Sequence, residues 1–552
     1  MMLRGLTMKL LALALFSLTL CAQDKVDLGV IQRIKTEAFQ NSKVMDHLFW
    51  ITDVYGPRLT GSPGFTAAAN WTVKRLKEFG IDDAAVQPWG KFGRSWRLTK
   101  FSISIQEPEY APLIGFPLAW SADTKGPLVT EPVLAPLKIT DRLDRKKTED
   151  DLQKYFQEQK GRLRGKIVLI GELRDVKPIM TAPASRYSDA DLAKEGEAPT
   201  PQALPAFDIE KMILPVKPEE RRALSELLPL DAEAKIWEYE DNLTDRVNQF
   251  LAQEGAVAAI VPSYNADAGT VFGEAAGAYS SSQPVSEPRI ALTIEHYNRI
   301  ARLLEKKVPV KLELEVRTTG DGATGDGLNI IANIPGTKKP DEVVMIGAHF
   351  DSWIGGTGAT DNGTGSAVMI EVMRILKTLH LKLDRTVRLG LWSGEEQGIY
   401  GSRAYVKATF GDAATMELKP AHAKFSGYFN DDNGTGKIRG VYLQGNDAMR
   451  PVFEEWLAPF RDLGVTTVSI RNTDGTDHLS FDQVGLPGFQ FIQDDVEYER
   501  ITHHSNMDVY DHAVPADLMQ AAAVIASVVY HAANRPELLP RKELPPPVKL
   551  KN

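Results

Sequence analysis

An α/β fold is predicted by three observations: strand-like apolar runs, the chemistry that follows each of them, and one long apolar helix candidate near the end. Val343-Val344-Met345-Ile346-Gly347-Ala348 runs into His349-Phe350-Asp351 and, through a Gly-rich loop, to Asp361-Asn362-Gly363. Val387-Arg388-Leu389-Gly390-Leu391-Trp392 runs into Ser393-Gly394-Glu395-Glu396. Phe425-Ser426-Gly427-Tyr428-Phe429 runs into Asn430-Asp431-Asp432, and a C-terminal segment ends at His503-His504-Ser505. Open α/β sheets bind ligands in the crevice beyond the carboxyl ends of their strands, so these groups are expected to converge. The helix candidate, Ala521 to Val529, falls short of the roughly 20 apolar residues that span a bilayer and reads as a helix buried against the sheet.

Two imidazoles and several carboxylates meeting in one crevice form a ligand set suited to zinc. A pair of divalent ions sharing one carboxylate is brought to neutrality by three ligand carboxylates and a hydroxide. Such pairs lie roughly 3.5–4 Å apart, activate a water and stabilise the charge that develops on a substrate oxygen. The adjacent glutamates then divide the work: one binds metal and the other accepts the proton of the attacking water. A lone His-x-Asp or Glu-Glu pair is ordinarily a solvated loop; it is their joint order, each after a strand-like run, that points to chemistry. No His-Glu-x-x-His helix, Gly-x-Ser-x-Gly elbow or phosphate loop competes. His47, His296, His380, His422, His512 and His531 are assigned ordinary surface or core roles.

His349-Phe350-Asp351 with Gly358-Ala359-Thr360-Asp361-Asn362, Trp392 to Gly398 and Gly401-Ser402 together resemble the core of the M28 family of zinc peptidases. That family includes aminopeptidases, glutamate carboxypeptidase and carboxypeptidase Q. The resemblance extends to Tyr55-Gly56-Pro57-Arg58-Leu59-Thr60-Gly61-Ser62 and to Gly475-Thr476-Asp477-His478-Leu479-Ser480-Phe481, and His503-His504-Ser505 ahead of Asp508 is similar to carboxypeptidase Q in particular. It implies a three-layer sandwich around a mixed, mostly parallel sheet and two zinc ions per chain. One ion falls to His349 and Asp432, the other to Glu396 and His504, with Asp361 bridging both. Glu395 is then the general base, and Asp351 the carboxylate that orients His349. Asp431 and His503 are the alternatives should the local register differ by one. His478 or His503 is a candidate for stabilising the oxyanion.

The resemblance further implies a secreted exopeptidase acting on peptide substrates, read first as an aminopeptidase, with a carboxypeptidase Q-like dipeptidase or carboxypeptidase as the alternative. A carboxypeptidase needs a cation for the substrate α-carboxylate, for which Arg439 and Arg471 are available. An aminopeptidase needs carboxylates near the amine, for which Asp431, Asp474, Asp477 and Asp494 are available. Two readings of other classes are a non-catalytic binding protein of the same fold, as with transferrin receptor, and a single-zinc acyltransferase resembling glutaminyl cyclase. The first is opposed by the complete ligand set and the second by the inserted domain.

A formal charge of −9 with no basic stretch argues against a nucleic-acid partner, and 552 residues allow two or more domains. Residues 1–22 read as a secretory leader, with Arg4 and Lys9 ahead of the apolar run Leu10 to Leu20 and cleavage after Ala22. A secreted or periplasmic location follows. Cys21 is the only cysteine, and Leu20 is too large for a good lipid-attachment motif, so neither a disulfide nor a lipid anchor is expected.

Residues 23–125 are assigned to the N-terminal part of the catalytic domain, helical from about 25 to 90 and mixing extended runs with prolines over 98–125. Residues 126–318 resemble a protease-associated (PA) domain, β-rich and inserted, with hallmark strands at Gly165 to Gly171 and Ala252 to Val261 and an end near Val308 to Arg317. Within it, 172–247 is a long Pro- and charge-rich insert with helical stretches such as Pro218 to Leu227, long enough to overhang the active site. The catalytic domain fills 319–537, and 538–552 is a tail. Of the sequons at Asn70, Asn242, Asn362 and Asn433, the last two fall inside the proposed active site and read as accidental.

Overall fold

The computed structural model describes residues 25–545 apart from 141–143, 202–229, 266–267, 278, 281–284, 286 and 321–323. The leader with Cys21 and the helical stretch expected at Pro218 to Leu227 lie outside the described residues.

An eight-stranded sheet organises the chain: β1 (Ala84–Arg94), β2 (Thr324–Ile334), β3 (Lys339–His349), β4 (Arg385–Trp392), β5 (Phe425–Asn430), β6 (Ile438–Tyr442), β7 (Thr467–Ser469) and β8 (Gly488–Gln493). Their order is β1-β2-β4-β3-β5-β8-β6-β7. The central β4, β3, β5 and β8 run parallel, as do β6 and β7, while β1 to β2, β2 to β4 and β6 to β8 are antiparallel, so the sheet is mixed and mostly parallel as expected. Side chains alternate between its faces. Val344, Ile346 and Ala348 of β3 join one core with the helices Leu28–Gln40, Thr364–Thr378 and Pro515–Asn534. Met345 joins the other, with Val406 and Phe481 from the helices Tyr400–Thr409 and His478–Asp482. These are the three layers. Among the described residues Pro515–Asn534 is the one helix long and apolar enough to cross a membrane, longer than the Ala521 to Val529 run suggested, and it is buried against the sheet as expected, with most of its residues in the first of these cores.

Residues 84–94 correct the expectation of helix up to about 90. They form an edge strand whose Val86 and Pro88 pair with Ile330 and Leu328. Proline lacks a donor, which an edge strand tolerates; pairing across 240 residues of sequence overrode the local alanine-rich pattern.

The inserted region builds two further sheets that share a core. Pro132–Leu134, Ile167–Leu169, Ala258–Pro262 and Arg289–Leu292 lie parallel, with Gly115–Pro117 closing the far edge. The expected strands at 165–171 and 252–261 are thus direct neighbours, although 252–253 still end the helix Leu230–Gln253. Arg97–Glu107 pairs antiparallel with Lys311–Thr319, so this β-rich module draws on residues either side of 126. Ile103, Ile260, Leu292 and Leu312 pack together between the two sheets.

Candidate metal centre

Strands β3, β4 and β5 end at one edge of the sheet, with His349 in register beside Trp392 and Gly347 beside Asn430. Their loops therefore open into one crevice, where His349, Glu395, Glu396 and Asp432 line a cavity of about 600 Å³ with Asp361 and His504. Between β3 and the following helix, the loop carrying Asp361 is clamped from behind by Arg58. Its fully buried guanidinium donates to the carbonyls of Ile51, Phe350, Thr357 and Gly358 at 2.7–3.0 Å. Asp508 accepts from the backbone N–H and hydroxyl of Thr360 at 2.5 and 2.9 Å. The segment Tyr55 to Ser62 thus acts by holding this loop, and Thr60 ties it to the glutamates: its hydroxyl donates to Asp351 at 2.8 Å and accepts from the Gly394 N–H at 2.8 Å.

Two triads result. His349 Nε2 lies 3.2 Å from Asp361 Oδ1 and 3.3 Å from Asp432 Oδ1. His504 Nε2 lies 3.3 Å from Asp361 Oδ2 and 3.0 Å from Glu396 Oε2. The two carboxylate oxygens of Asp361 therefore face different triads. His503 stands further off, 3.9 Å from Asp361 Oδ2, and packs against the His504 ring at a centroid distance of 3.8 Å. Asp431 is buried away from the cavity with one oxygen unpartnered, and its carboxyl is pushed up to about 7 by burial and by Asp432.

The residues fit zinc. Donors about 2.0–2.2 Å from a tetrahedral ion are roughly 3.3–3.6 Å from one another, close to the His–carboxylate spacings of both triads, and His503 also lies within ligand range of Asp361 and His504. Glu396 Oε1 is buried without a hydrogen-bond partner. Burial and Asp361 push the Glu396 carboxyl up to about 8, and burial with Asp432, Asp477 and Glu396 raises Glu395 well above the usual range despite His349. Burial opposes charge on His349, yet Asp432 and Glu395 hold its imidazole well above the ordinary value. Carboxylates so crowded need cations among them.

Asp351 supports His349 mainly through its backbone. The ring Nδ1 donates to the Asp351 carbonyl at 3.1 Å, while the carboxylate is 3.6 Å away and receives Thr60 and, at 3.4 Å, the Glu395 N–H.

Four expectations are corrected. His478 is buried with Nε2 donating to the Thr473 carbonyl at 3.2 Å; burial pushes it down to about 3, and it does not line the cavity. Asp477 accepts from the Ser402 hydroxyl at 2.5 Å, also behind the wall. Arg439 is engaged by Asp494 at 2.9 Å and by the carbonyls of Gly464 and Tyr187. Arg471 pairs with Glu195 at 2.7 Å. A cation or carboxylate already paired in a dry site is not available to a substrate terminus.

The wall opposite the triads was not legible beforehand. Glu274 and Tyr279 come from the β-rich module and Glu240 and Asp241 from the helix Leu230–Gln253, at the end of the 172–247 stretch. Only the acidic run Glu238 to Asp241 hinted at it. Among the described residues no lysine or arginine lines the cavity. The same stretch grips the catalytic unit elsewhere, through Ser185 on Val496 and Arg186 on Asp494 and Asp517.

Residues 329–529 match peptidase family M28. Carboxypeptidase Q of Rattus norvegicus is 34% identical over 257 residues, 46% of this chain and 51% of that protein. Aminopeptidase YwaD of Bacillus subtilis (strain 168) is 30% identical over 213 residues, 37% and 45% of the two chains. The chain thus aligns with about half the length of these curated relatives. Among solved structures, a peptidase M28 precursor from Shewanella amazonensis superposes with a TM-score of 0.61 at 25% identity, covering 94% of this chain and 98% of that one.

Proposed function

We propose that this chain, whose residues 329–529 match peptidase family M28, is a di-zinc exopeptidase of short peptides, and most specifically a dipeptidase of the carboxypeptidase Q kind. The observation that carries the reading is the pair of triads sharing Asp361. Two zinc ions bound there would supply Lewis acidity that polarises a peptide carbonyl and acidifies a water. His349, Asp432 and Asp361 would hold one ion, and Glu396, His504 and Asp361 the other. Glu395 lines the cavity without belonging to either triad, which leaves its carboxylate free to accept a proton from the attacking water and return it to the departing amine. His503, beside the His504 ring, is the remaining imidazole positioned to face a substrate oxygen.

Two observations bear on the polarity of cleavage. Glu240, Asp241 and Asp474 line the cavity wall, which suits a free substrate amine. The curated relatives named carboxypeptidase Q favour release at the carboxyl end. A dipeptide satisfies both, because its one bond adjoins both termini. The acidic wall alone favours the second reading, an aminopeptidase. The leader read from the sequence would, in this proposal, carry the activity out of the cytoplasm.

The test is a panel of one dipeptide as the free molecule, the N-acetyl form and the C-terminal amide, with zinc present. Turnover of the free form only supports the dipeptidase. Equal turnover of free form and amide selects the aminopeptidase, and turnover of the N-acetyl form overturns recognition of the amine.

A further inference from the structure

We propose that Glu274, carried by the β-rich module, is a positioning residue for His504, so that the module is a working part of one metal site and not of the other. The inference rests on the di-zinc reading above. The His504 ring is spanned between two partners: Nε2 faces Asp361 and Glu396, while Nδ1 lies 2.8 Å from Glu274 Oε1. A metal-bound imidazole is held in tautomer and orientation by what its other nitrogen donates to. For His504 that partner comes from 230 residues earlier in the chain. For His349 it is the carbonyl two residues on, inside the catalytic unit. The two sites therefore differ in what orients their histidines.

The backbone repeats the arrangement. His504 has φ +58°, the left-handed region that side chains other than glycine seldom occupy. The module holds it there. Phe272 and Ser505 form an antiparallel bridge, Gly273 N–H donates to the His504 carbonyl at 3.1 Å, and Asn506 N–H donates to the Val271 carbonyl at 3.0 Å. The Asn506 side chain in turn accepts from Val271 N–H at 2.7 Å. Residues 271–274 are fixed within the module: Phe272 N–H donates to the Ser263 hydroxyl, and Ala119 N–H to the Glu274 carbonyl at 2.9 Å. Gly273 fits this position because a Cβ there would come within 2.5 Å of the Leu118 side chain.

Zinc titration of the chelator-stripped full-length protein by calorimetry, with ions counted after dialysis, tests this. The parent takes up two ions. Glu274→Ala takes up one with parental affinity and the other about 10- to 100-fold more weakly. Glu274→Gln, whose amide oxygen still accepts from the ring, loses less. In a Glu396→Ala background, where that site is already broken, adding Glu274→Ala changes the remaining affinity less than twofold. Two ions at parental affinity in Glu274→Ala overturn the proposal, and a raised KM alongside would move Glu274 to the substrate wall. Equal weakening of both sites also overturns it. A parent that takes up fewer than two ions overturns the di-zinc reading, and this proposal with it.

Discussion

Asp361→Ala is predicted to empty both metal sites at once, whereas loss of any other single ligand empties one. Its two oxygens lie 3.2 Å from His349 Nε2 and 3.3 Å from His504 Nε2, so the substitution takes one donor from each triad. Protein zinc sites bind with about 10–16 kcal/mol, which over four donors is about 2.5–4 kcal/mol each. At about 1.4 kcal/mol per tenfold, each site weakens by roughly two to three orders of magnitude. The loop itself is expected to stand, because Arg58 and Asp508 hold it independently of the Asp361 side chain. The assay is zinc content after dialysis against buffered zinc, for Asp361→Ala beside Asp432→Ala and Glu396→Ala. If Asp361→Ala keeps either ion at parental affinity, the bridging role is wrong.

Three further outcomes are expected. Glu395→Gln keeps shape but cannot take up a proton, so turnover falls about 10²- to 10⁴-fold with both ions retained; metal loss equal to that of Glu396→Gln would show that the pair shares the ligand role. Arg439→Met leaves the fully buried Asp494 with Arg186 as its remaining charged partner beside the Tyr187 N–H, so denaturant melts should show a loss of about 3 kcal/mol with KM for a free dipeptide within twofold; an unaltered melt with a raised KM would restore Arg439 to substrate binding. His478 is held near 3 in the fold against about 6.5 unfolded, so below pH 6.5 the unfolded chain binds the extra proton. Stability from this residue is full above pH 6.5 and falls with acid, by about 2 kcal/mol on going to pH 5. His478→Gln removes that slope, and identical pH-melt curves for the two proteins would contradict the burial argument.

Much of the centre was legible in the sequence. The apolar runs that end at His349, Glu395-Glu396 and Asp432 are the central parallel strands β3, β4 and β5, and parallel strands must present their ends on one edge. Residue type and order therefore sufficed to bring these side chains to one crevice. The choice between neighbours was less accessible. Asp432 rather than Asp431 lines the cavity, and His504 stands nearer Asp361 than His503 does, because adjacent side chains point in different directions, and the backbone that decides between them is set by distant contacts. His504 shows this most directly, since its left-handed backbone is held by residues 271–274.

The misplacements have the same origin. Arg439 and Asp477 carried the right charge for a substrate terminus, but their partners Asp494 and Ser402 are 55 and 75 residues away, and nothing local announces such pairs. Residues 84–94 read as helix until strand β2 claims them. The acidic wall of Glu240, Asp241 and Glu274 has no motif because its members answer to a cavity rather than to their own neighbours. The sequence by itself determined the strands, the ligand types and their order, all of which depend on residues within a few positions of one another. Only the tertiary structure decided which of two adjacent ligands is used, which charges are already paired and what faces the metal centre, because those depend on side chains that packing alone brings together.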